Sequence, residues 1–243
     1  MIVGMKCLNE SKSVHRCISD FHDESFVDKI IVIDGESTDD TVQELKQFSK
    51  VQIFKHKWYD DYHYQEVIQS NILLSYIPEG ELMMIMDFDE RMSPELKNCL
   101  SNIDEKQKKE HNLQPGDCIN FSRKTFEVMR YEDSPYAMLE NDWPIPFNQI
   151  GSYPDYQLRL ICKSYLMHWV NSPHHVLQGY ANQTSLQFDI LHYEKDDARD
   201  RIKIEKKWAR CQARRKELGL TADLFETKPH VEIAEYYTPE GWK

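Results

Sequence analysis

The chain has 243 residues, of which 40% are hydrophobic, 12% aromatic and 29% charged, with a formal net charge of −11 and a pI near 5.4. This composition fits a soluble globular protein that can bury a core without disulfide or metal staples. It excludes nucleic acid as the main ligand, because phosphate backbones are bound by basic surfaces. No apolar run approaches the roughly 18 residues of a spanning helix. Met1–Cys7 also lacks the charged leader, apolar region and small-residue cleavage site of a secretory signal. The six cysteines, at 7, 17, 99, 118, 162 and 211, contain no CxxC pair. That excludes a zinc ribbon or a thioredoxin-type motif, and free thiols in the cytoplasm are expected.

Strand and helix alternate through the first hundred residues. Ile2-Val3-Gly4-Met5 reads as a strand, and Val14, Cys17, Ile18 and Phe21 mark one apolar face of a helix that Asn9 or Ser11 could cap. The β-branched run Lys29–Ile33 fits a strand buried on both faces. Ser37-Thr38-Asp39-Asp40 then opens a helix carrying Val42, Leu45 and Phe48. Val51–Phe54 is a third strand, Tyr64–Ile77 a helix ended by Pro78 and Gly80, and Leu82–Met86 a fourth strand. Ser93-Pro94-Glu95 starts another helix. This alternation predicts an α/β fold, a mostly parallel central sheet flanked by helices. Beyond it, Glu105–Gln114 reads as a helix end and loop, and Asp117–Val128, Tyr156–Cys162 and Leu186–Leu191 as strands. Leu158, Leu160 and Cys162 alternate along one face of the second of these. Tyr131–Pro154 reads as a long loop whose Tyr131, Tyr136, Trp143 and Tyr153 either form an aromatic binding surface or pin the loop to the core.

Ala198–Lys216 carries nine basic residues against Asp200 and Glu205, with Ile204, Trp208 and Cys211 as a narrow apolar stripe. It reads either as a solvated helix face packed on the acidic body or as a contact with an anionic membrane surface or phosphorylated acceptor.

Three polar clusters directly follow expected strands: Asn9-Glu10, Asp34 with Ser37-Thr38-Asp39, and Asp87-Phe88-Asp89-Glu90. Ligands of open α/β sheets bind at the carboxyl ends of the strands, so three such clusters along one edge point to a site. The eight glycines are too far apart for a GxGxxG or P-loop cradle. An acidic chain that binds a diphosphate must then neutralise it locally, most simply with a divalent metal. Strand alternation puts Asp87 and Asp89 on one side, and two hard oxygen ligands suit Mg²⁺ or Mn²⁺.

The ordered set of motifs resembles glycosyltransferase family 2, and within it the bacterial branch that builds lipopolysaccharide cores. Cys7-Leu8-Asn9-Glu10 is similar to the opening "NE" of that family, and Ile31–Thr41 to its "VVDxxSxDxT" segment. Gln69-Ser70-Asn71 resembles a "Q-(K/R)-N" helix, with Ser70 in place of the basic residue. Asp87–Leu96 is similar to "DADERVSPEL", and Pro154–Leu160 to "PDxQLRLF". Pro173-His174-His175-Val176-Leu177 stands where "VHExL" is expected, with His175 in place of Glu. Leu191-His192-Tyr193 and the basic helix after it also have counterparts. The resemblance implies a GT-A fold and inverting transfer from a nucleotide-diphosphate sugar, UDP by default, to a glycan or lipid-linked hydroxyl. By the same resemblance Asp34 contacts the nucleobase and Asn9 and Glu10 line the nucleoside pocket, with Asn71 and Arg159 also on the donor side. Asp89 binds the metal, and Asp87 holds the ribose or a metal-bound water. His174, or His175 in a shifted alignment, completes the metal shell, and Asp155 is the general base. His168 and His192 read as structural histidines.

The expected organisation is one catalytic domain over residues 1–197, with a nucleotide-sugar half at 1–105 and an acceptor half at 106–197, and a basic helical extension over 198–243. Two rival readings stand beside it. A sugar nucleotidyltransferase also pairs an α/β sheet with metal-binding acids, but Met1–Glu10 lacks the glycine-rich basic loop such enzymes use. A non-catalytic sugar-nucleotide or glycan-binding module is disfavoured by the intact set Asp87, Asp89, Asp155 and His174.

Overall fold

The computed structural model describes residues 1–58, 62–128, 139–140, 143–144, 146–170 and 176–194. His174, His175, Tyr131, Tyr136 and the basic segment 198–243 lie outside the described residues.

The first half forms as the hydrophobic runs dictate. Strands β1 (Ile2–Cys7), β2 (Lys29–Asp34), β3 (Val51–Lys55) and β4 (Leu82–Ile85) lie side by side, all parallel, in the order β3-β2-β1-β4. Helices α1 (Ser11–His22), α2 (Thr41–Leu45) and α3 (Tyr62–Ser75) make the crossovers. α4 (Pro94–Glu110) starts at Ser93, whose hydroxyl accepts from Leu96 N at 3.1 Å, with Pro94 in the first turn. Both faces of the sheet are covered. Val14, Cys17, Ile18 and Phe21 of α1 and Leu96 and Leu100 of α4 fill one side with Val3, Met5 and Val32. Leu73 and Leu74 of α3 fill the other with Ile2, Ile31, Ile33 and Met83. Each fully buried aliphatic or aromatic side chain contributes about 1.5–3 kcal/mol. Five of the cysteines, 7, 17, 99, 118 and 162, are unbridged and buried, packed as small apolar groups.

Two local expectations change. Neither Asn9 nor Ser11 caps α1: the cap position is Glu10, whose side chain makes no capping bond. Asp39, from the loop after β2, accepts instead from Ser11 N at 3.2 Å and from Thr41 N at 3.0 Å. α2 is also shorter than its apolar spacing implies, and Phe48 lies beyond it, with its ring edge-on to His15 and His22.

The second half continues the same sheet with long strands β6 (Asp117–Val128), β9 (Pro146–Cys162) and β12 (Asn182–Glu194), and with the short β5 (Glu90–Met92). β7 (Leu139–Glu140) and β8 (Trp143–Pro144) pair separately, as do β10 (His168–Val170) and β11 (Val176–Gln178). The eight strands run β3-β2-β1-β4-β9-β6-β12-β5. β9 is antiparallel to both β4 and β6, β12 is parallel to β6, and β5 is antiparallel to β12. The sheet is therefore mixed, with parallel pairings in the majority. β9 begins inside the expected loop, at Pro146, because pairing with β6 overrides the local Pro and Gly content; a proline is tolerated at a strand's first residue.

The expected alternation in β9 breaks at Arg159. Ile119 faces Leu160 and the next residue, Asn120, faces Leu158, so Arg159 is an extra residue, a β-bulge. Leu160 and Cys162 consequently pack on the α1 side while Leu158 packs on the α3 side.

The order of strands also requires the sheet to curl. Between β4 and β5 lie four strand spacings, roughly 19 Å if flat. The chain bridges them with residues 86–89 alone, tightened by a turn in which Glu90 N donates to Asp87 O at 3.2 Å. Only a sheet bent back on itself brings β5 so close to the end of β4. That curl gathers the charged residues of five different strands. Among the described residues, no helix is long and apolar enough to cross a membrane.

Candidate active site

The loops after β1 and β2 are stitched together. Asn9 takes a left-handed backbone (φ 59°), donates its N–H to Ser37 Oγ at 2.9 Å and accepts from Thr38 N at 2.8 Å. Glu10 N donates to Thr41 Oγ1 at 2.7 Å. Asp34 is fully buried and accepts from Ser37 N at 3.1 Å, which folds the turn after β2. Asn9 and Asp34 thus shape the rim at the carboxyl ends of β1 and β2.

The Asp87–Glu90 segment does not continue the strand. β4 stops at Ile85, and the turn at 87–90 sends the two aspartates to different partners rather than to one strand face. Asp87 pairs with Arg159 Nη1 at 3.3 Å, and its backbone N–H donates to Glu90 Oε2 at 3.1 Å. Arg159 Nη2 pairs with Glu90 Oε1, and both of those side chains are buried. Arg159 therefore clamps the turn through two carboxylates. The acids respond in opposite directions. Loss of solvent raises the Asp87 carboxyl, but Arg159, with Lys6 and His192 behind it, outweighs that and holds it at about 2. Burial pushes Glu90 up to about 7 against the pull of Arg159, with help from the Asp87 and Asp89 charges.

Asp89 faces His192 on β12, with Oδ2 3.8 Å from Nε2, and both are about one-fifth exposed. The other ring nitrogen, Nδ1, lies 3.3 Å from Thr125 Oγ1 of β6. Burial lowers the His192 pKa, and Asp89, followed by Glu90, more than reverses it. His192, expected to be a packing histidine, is thus the imidazole that meets the second aspartate. His168 is exposed, its Nδ1 2.9 Å from Leu166 O. Among the described residues, no three His, Cys, Asp or Glu side chains gather as a metal cluster.

Asp155 sits within β9. Oδ2 accepts from Arg123 Nε and Nη2 at 3.2 and 2.8 Å, and Oδ1 from Gln157 Nε2 at 2.9 Å. Arg123, on β6, is also close enough to His192 to oppose its protonation. Asp155 is thereby linked through Arg123 toward the His192–Asp89 pair.

In the helix motif of α3, Gln69 is buried and donates to His56 O and Lys57 O at 2.9 and 3.2 Å. Ser70 accepts from Lys6 Nζ at 2.9 Å. Asn71 reaches the backbone of Trp169 in β10: its Nδ2 donates to Trp169 O at 2.9 Å and its Oδ1 accepts from Trp169 N at 2.7 Å. Its amide is spent on anchoring the β10–β11 hairpin. Asn71→Ala is therefore expected to destabilise the protein by about 1–3 kcal/mol, with hydrogen exchange rising first in strands β10 and β11. Protection there equal to wild type would contradict the anchoring role.

Comparison with known proteins bears on the half that carries these acids. Residues 2–109 match Glycosyl transferase family 2. The match runs from β1 into α4 and includes Asn9, Asp34, Asp87 and Asp89. Over 101 residues, 41% of this chain, the sequence is 33% identical to the SPbeta prophage-derived glycosyltransferase SunS of Bacillus subtilis (strain 168). SunS of Bacillus phage SPbeta matches to the same extent, and the stretch spans 22% of the length of either relative. Among solved structures, the mannosyltransferase PcManGT from Pyrobaculum calidifontis, in complex with GDP-Man and Mn²⁺, is similar over 81% of this chain and 57% of its own. Its sequence identity is 12% and its TM-score 0.49. S. aureus TarS 1-349 with UDP-GlcNAc is similar over 81% and 59%, with 11% identity and a TM-score of 0.46.

Proposed function

We propose that this chain is a family 2 glycosyltransferase of GT-A type that moves a sugar, with inversion, from a nucleotide-diphosphate donor to a hydroxyl of a glycan or lipid-linked acceptor. The observation that carries this reading is the meeting of Asp87, Asp89, Arg159 and His192 where the curled sheet brings β4, β9 and β12 together. The family match over the segment that supplies the two aspartates, and the likeness to SunS over 101 residues, support it. UDP is the expected nucleotide.

Asp89 and His192 fit a hard divalent cation such as Mn²⁺ or Mg²⁺. One carboxylate and one imidazole, both reachable from solvent, would hold it, with His174, outside the described residues, as the further proposed ligand. A cation held there would supply positive charge to the departing diphosphate. Arg159 keeps the Asp87–Glu90 turn rigid, so Asp87 is presented to the donor in one orientation. Asn9, Glu10 and Asp34 form the nucleoside rim. Asp155 takes the acceptor's hydroxyl proton, with Arg123 on one carboxylate oxygen and Gln157 on the other fixing its direction. Residues 106–197 form the acceptor half, and the basic segment 198–216 is the part proposed to meet an anionic membrane surface.

The test is a thermal-shift screen of UDP-, GDP- and dTDP-sugars with Mn²⁺, since a ligand that binds only the folded state raises its melting temperature. At least one donor is expected to stabilise the wild type, with the shift abolished by EDTA. Asp89→Ala should weaken donor binding about tenfold or more and remove its dependence on Mn²⁺. Equal affinity with and without EDTA in the wild type would contradict the metal assignment.

A further inference from the structure

Two irregularities of the sheet meet beside Asp155. Where β6 pairs with β9, Arg123 faces Asp155 and Thr125 faces Ile150, so Gly151–Pro154 stand opposite Lys124 alone. Where β12 pairs with β6, Leu186 faces Phe121 and Asp189 faces Ser122, which leaves Gln187 and Phe188 as extra residues. Such insertions interrupt the ladder of backbone bonds. Asp155 follows directly on the first of them, and a side-chain tether takes over where the ladder stops.

That tether is the carboxylate of Asp189. Its Oδ1 accepts from Ser122 Oγ at 2.7 Å and from Tyr153 OH at 3.0 Å, and its Oδ2 pairs with Lys124 Nζ. Gln187, one of the extra residues of β12, donates to the same phenol oxygen at 3.2 Å. The Lys124 ammonium lies 5.0 Å from the centre of the Tyr153 ring. Asp189 is itself held in place, its backbone O accepting at 3.0 Å from Ser93 N, at the start of α4. Burial raises the Asp189 carboxyl, and the bonds from Lys124, Ser122 and Tyr153 more than reverse that, so the three donors meet an ionised group.

These contacts bracket Asp155 from two strands. Successive side chains of a strand point to opposite faces, so Ser122 and Lys124 leave one face of β6 and Arg123, between them, leaves the other. Asp189 grips the first two, and Asp155 accepts both bonds from the third. Tyr153 supplies a second hold, two residues before Asp155 on the same strand.

We propose that Asp189 is a positioning residue for Asp155, acting through Tyr153 on β9 and through Ser122 and Lys124 around Arg123 on β6. The proposal rests on the transfer reading above, in which Asp155 takes the acceptor's proton. A general base must lie within hydrogen-bond reach of the proton it removes, and a misplacement of about 1 Å costs on the order of 10²-fold in rate.

The experiment follows release of nucleoside diphosphate, with Mn²⁺ and with water as the acceptor, from the sugar nucleotide that the thermal-shift screen selects. It compares wild type, Tyr153→Phe, Asp189→Asn, Asp155→Asn, and Tyr153→Phe combined with Asp155→Asn. Tyr153→Phe removes only the phenol oxygen of a partly exposed ring, and should lower kcat about tenfold while donor KM stays within about twofold. Asp189→Asn keeps an oxygen for Ser122 and Tyr153 but loses the charge, and should lower kcat with donor KM likewise unchanged. On the Asp155→Asn background, Tyr153→Phe should change kcat by less than about twofold, because a missing base cannot be misplaced. If Asp189→Asn does not fold, Tyr153→Phe decides on the same two criteria. Unchanged kcat in Tyr153→Phe, or an equal loss on both backgrounds, would overturn the positioning role and leave the transfer reading standing. Wild-type turnover in Asp155→Asn removes the base and this proposal together. A wild type that releases no nucleoside diphosphate from any donor overturns the transfer reading, and the role of Asp189 with it.

Discussion

Asp155→Asn is expected to lower turnover by a factor of about 10² to 10⁴ while donor affinity stays within about twofold of wild type. Inverting transfer needs one carboxylate to receive the acceptor's proton as its oxygen attacks the anomeric carbon, and an amide cannot do so. A second carboxylic acid is unnecessary, because a neutralised diphosphate departs without protonation. The geometry explains why the effect should fall on turnover alone. Asp155 lies in β9 with its partners Arg123 and Gln157, four residues from Arg159, whereas Asn9 and Asp34 are tied to Ser37 and Thr38. Asparagine can keep the bond from Arg123 through its carbonyl oxygen, so the strand should stay in place. Turnover equal to wild type, measured by release of nucleoside diphosphate at saturating donor, would remove Asp155 from this role.

The second large effect concerns stability. Arg159→Met should cost about 3–5 kcal/mol, because it leaves Glu90 buried at 0% exposure beside Asp87 and Asp89 with its cation gone. For a chain of this size that corresponds to a fall in melting temperature of roughly 10 °C or more. Glu90→Gln should be costly alone but far less so on the Arg159→Met background, with a coupling of about 1 kcal/mol or more. A loss below about 1 kcal/mol for Arg159→Met would mean that the clamp on the 87–90 turn is not what holds it. Donor binding should fall in parallel, since Asp87 loses its fixed orientation.

Much of the first half was legible because its physics is local. Lys29–Ile33 and Leu82–Met86 are apolar runs that only a strand covered on both faces can bury, and Ser93-Pro94-Glu95 carries its own start signal for α4. The second half was harder for equally physical reasons. β6, β9 and β12 carry polar side chains on exposed stretches, and pairing to neighbours, not propensity, decides their length, so β9 was read as beginning ten residues late. The bulge at Arg159 cannot be seen in an alternation of Leu158, Leu160 and Cys162; it shows only when β6 is laid beside β9. The acidic clusters after β1, β2 and β4 were visible as a set, yet their individual partners were not. Asp39 serves α1 from another loop, Asn71 serves Trp169, and Arg159 serves the turn at Asp87. His192 was missed as a partner of Asp89 because 103 residues separate them and only the curl of the sheet unites them; the Leu191-His192-Tyr193 motif was the one signal available.

The central claim is chemical, and the products decide it most directly. Incubated with Mn²⁺ and the sugar nucleotide that stabilises it best, the protein should release nucleoside diphosphate, faster when a hydroxyl acceptor is supplied and not at all with EDTA. Release of pyrophosphate from a nucleoside triphosphate and a sugar phosphate, with no nucleoside diphosphate from any donor, would contradict the account.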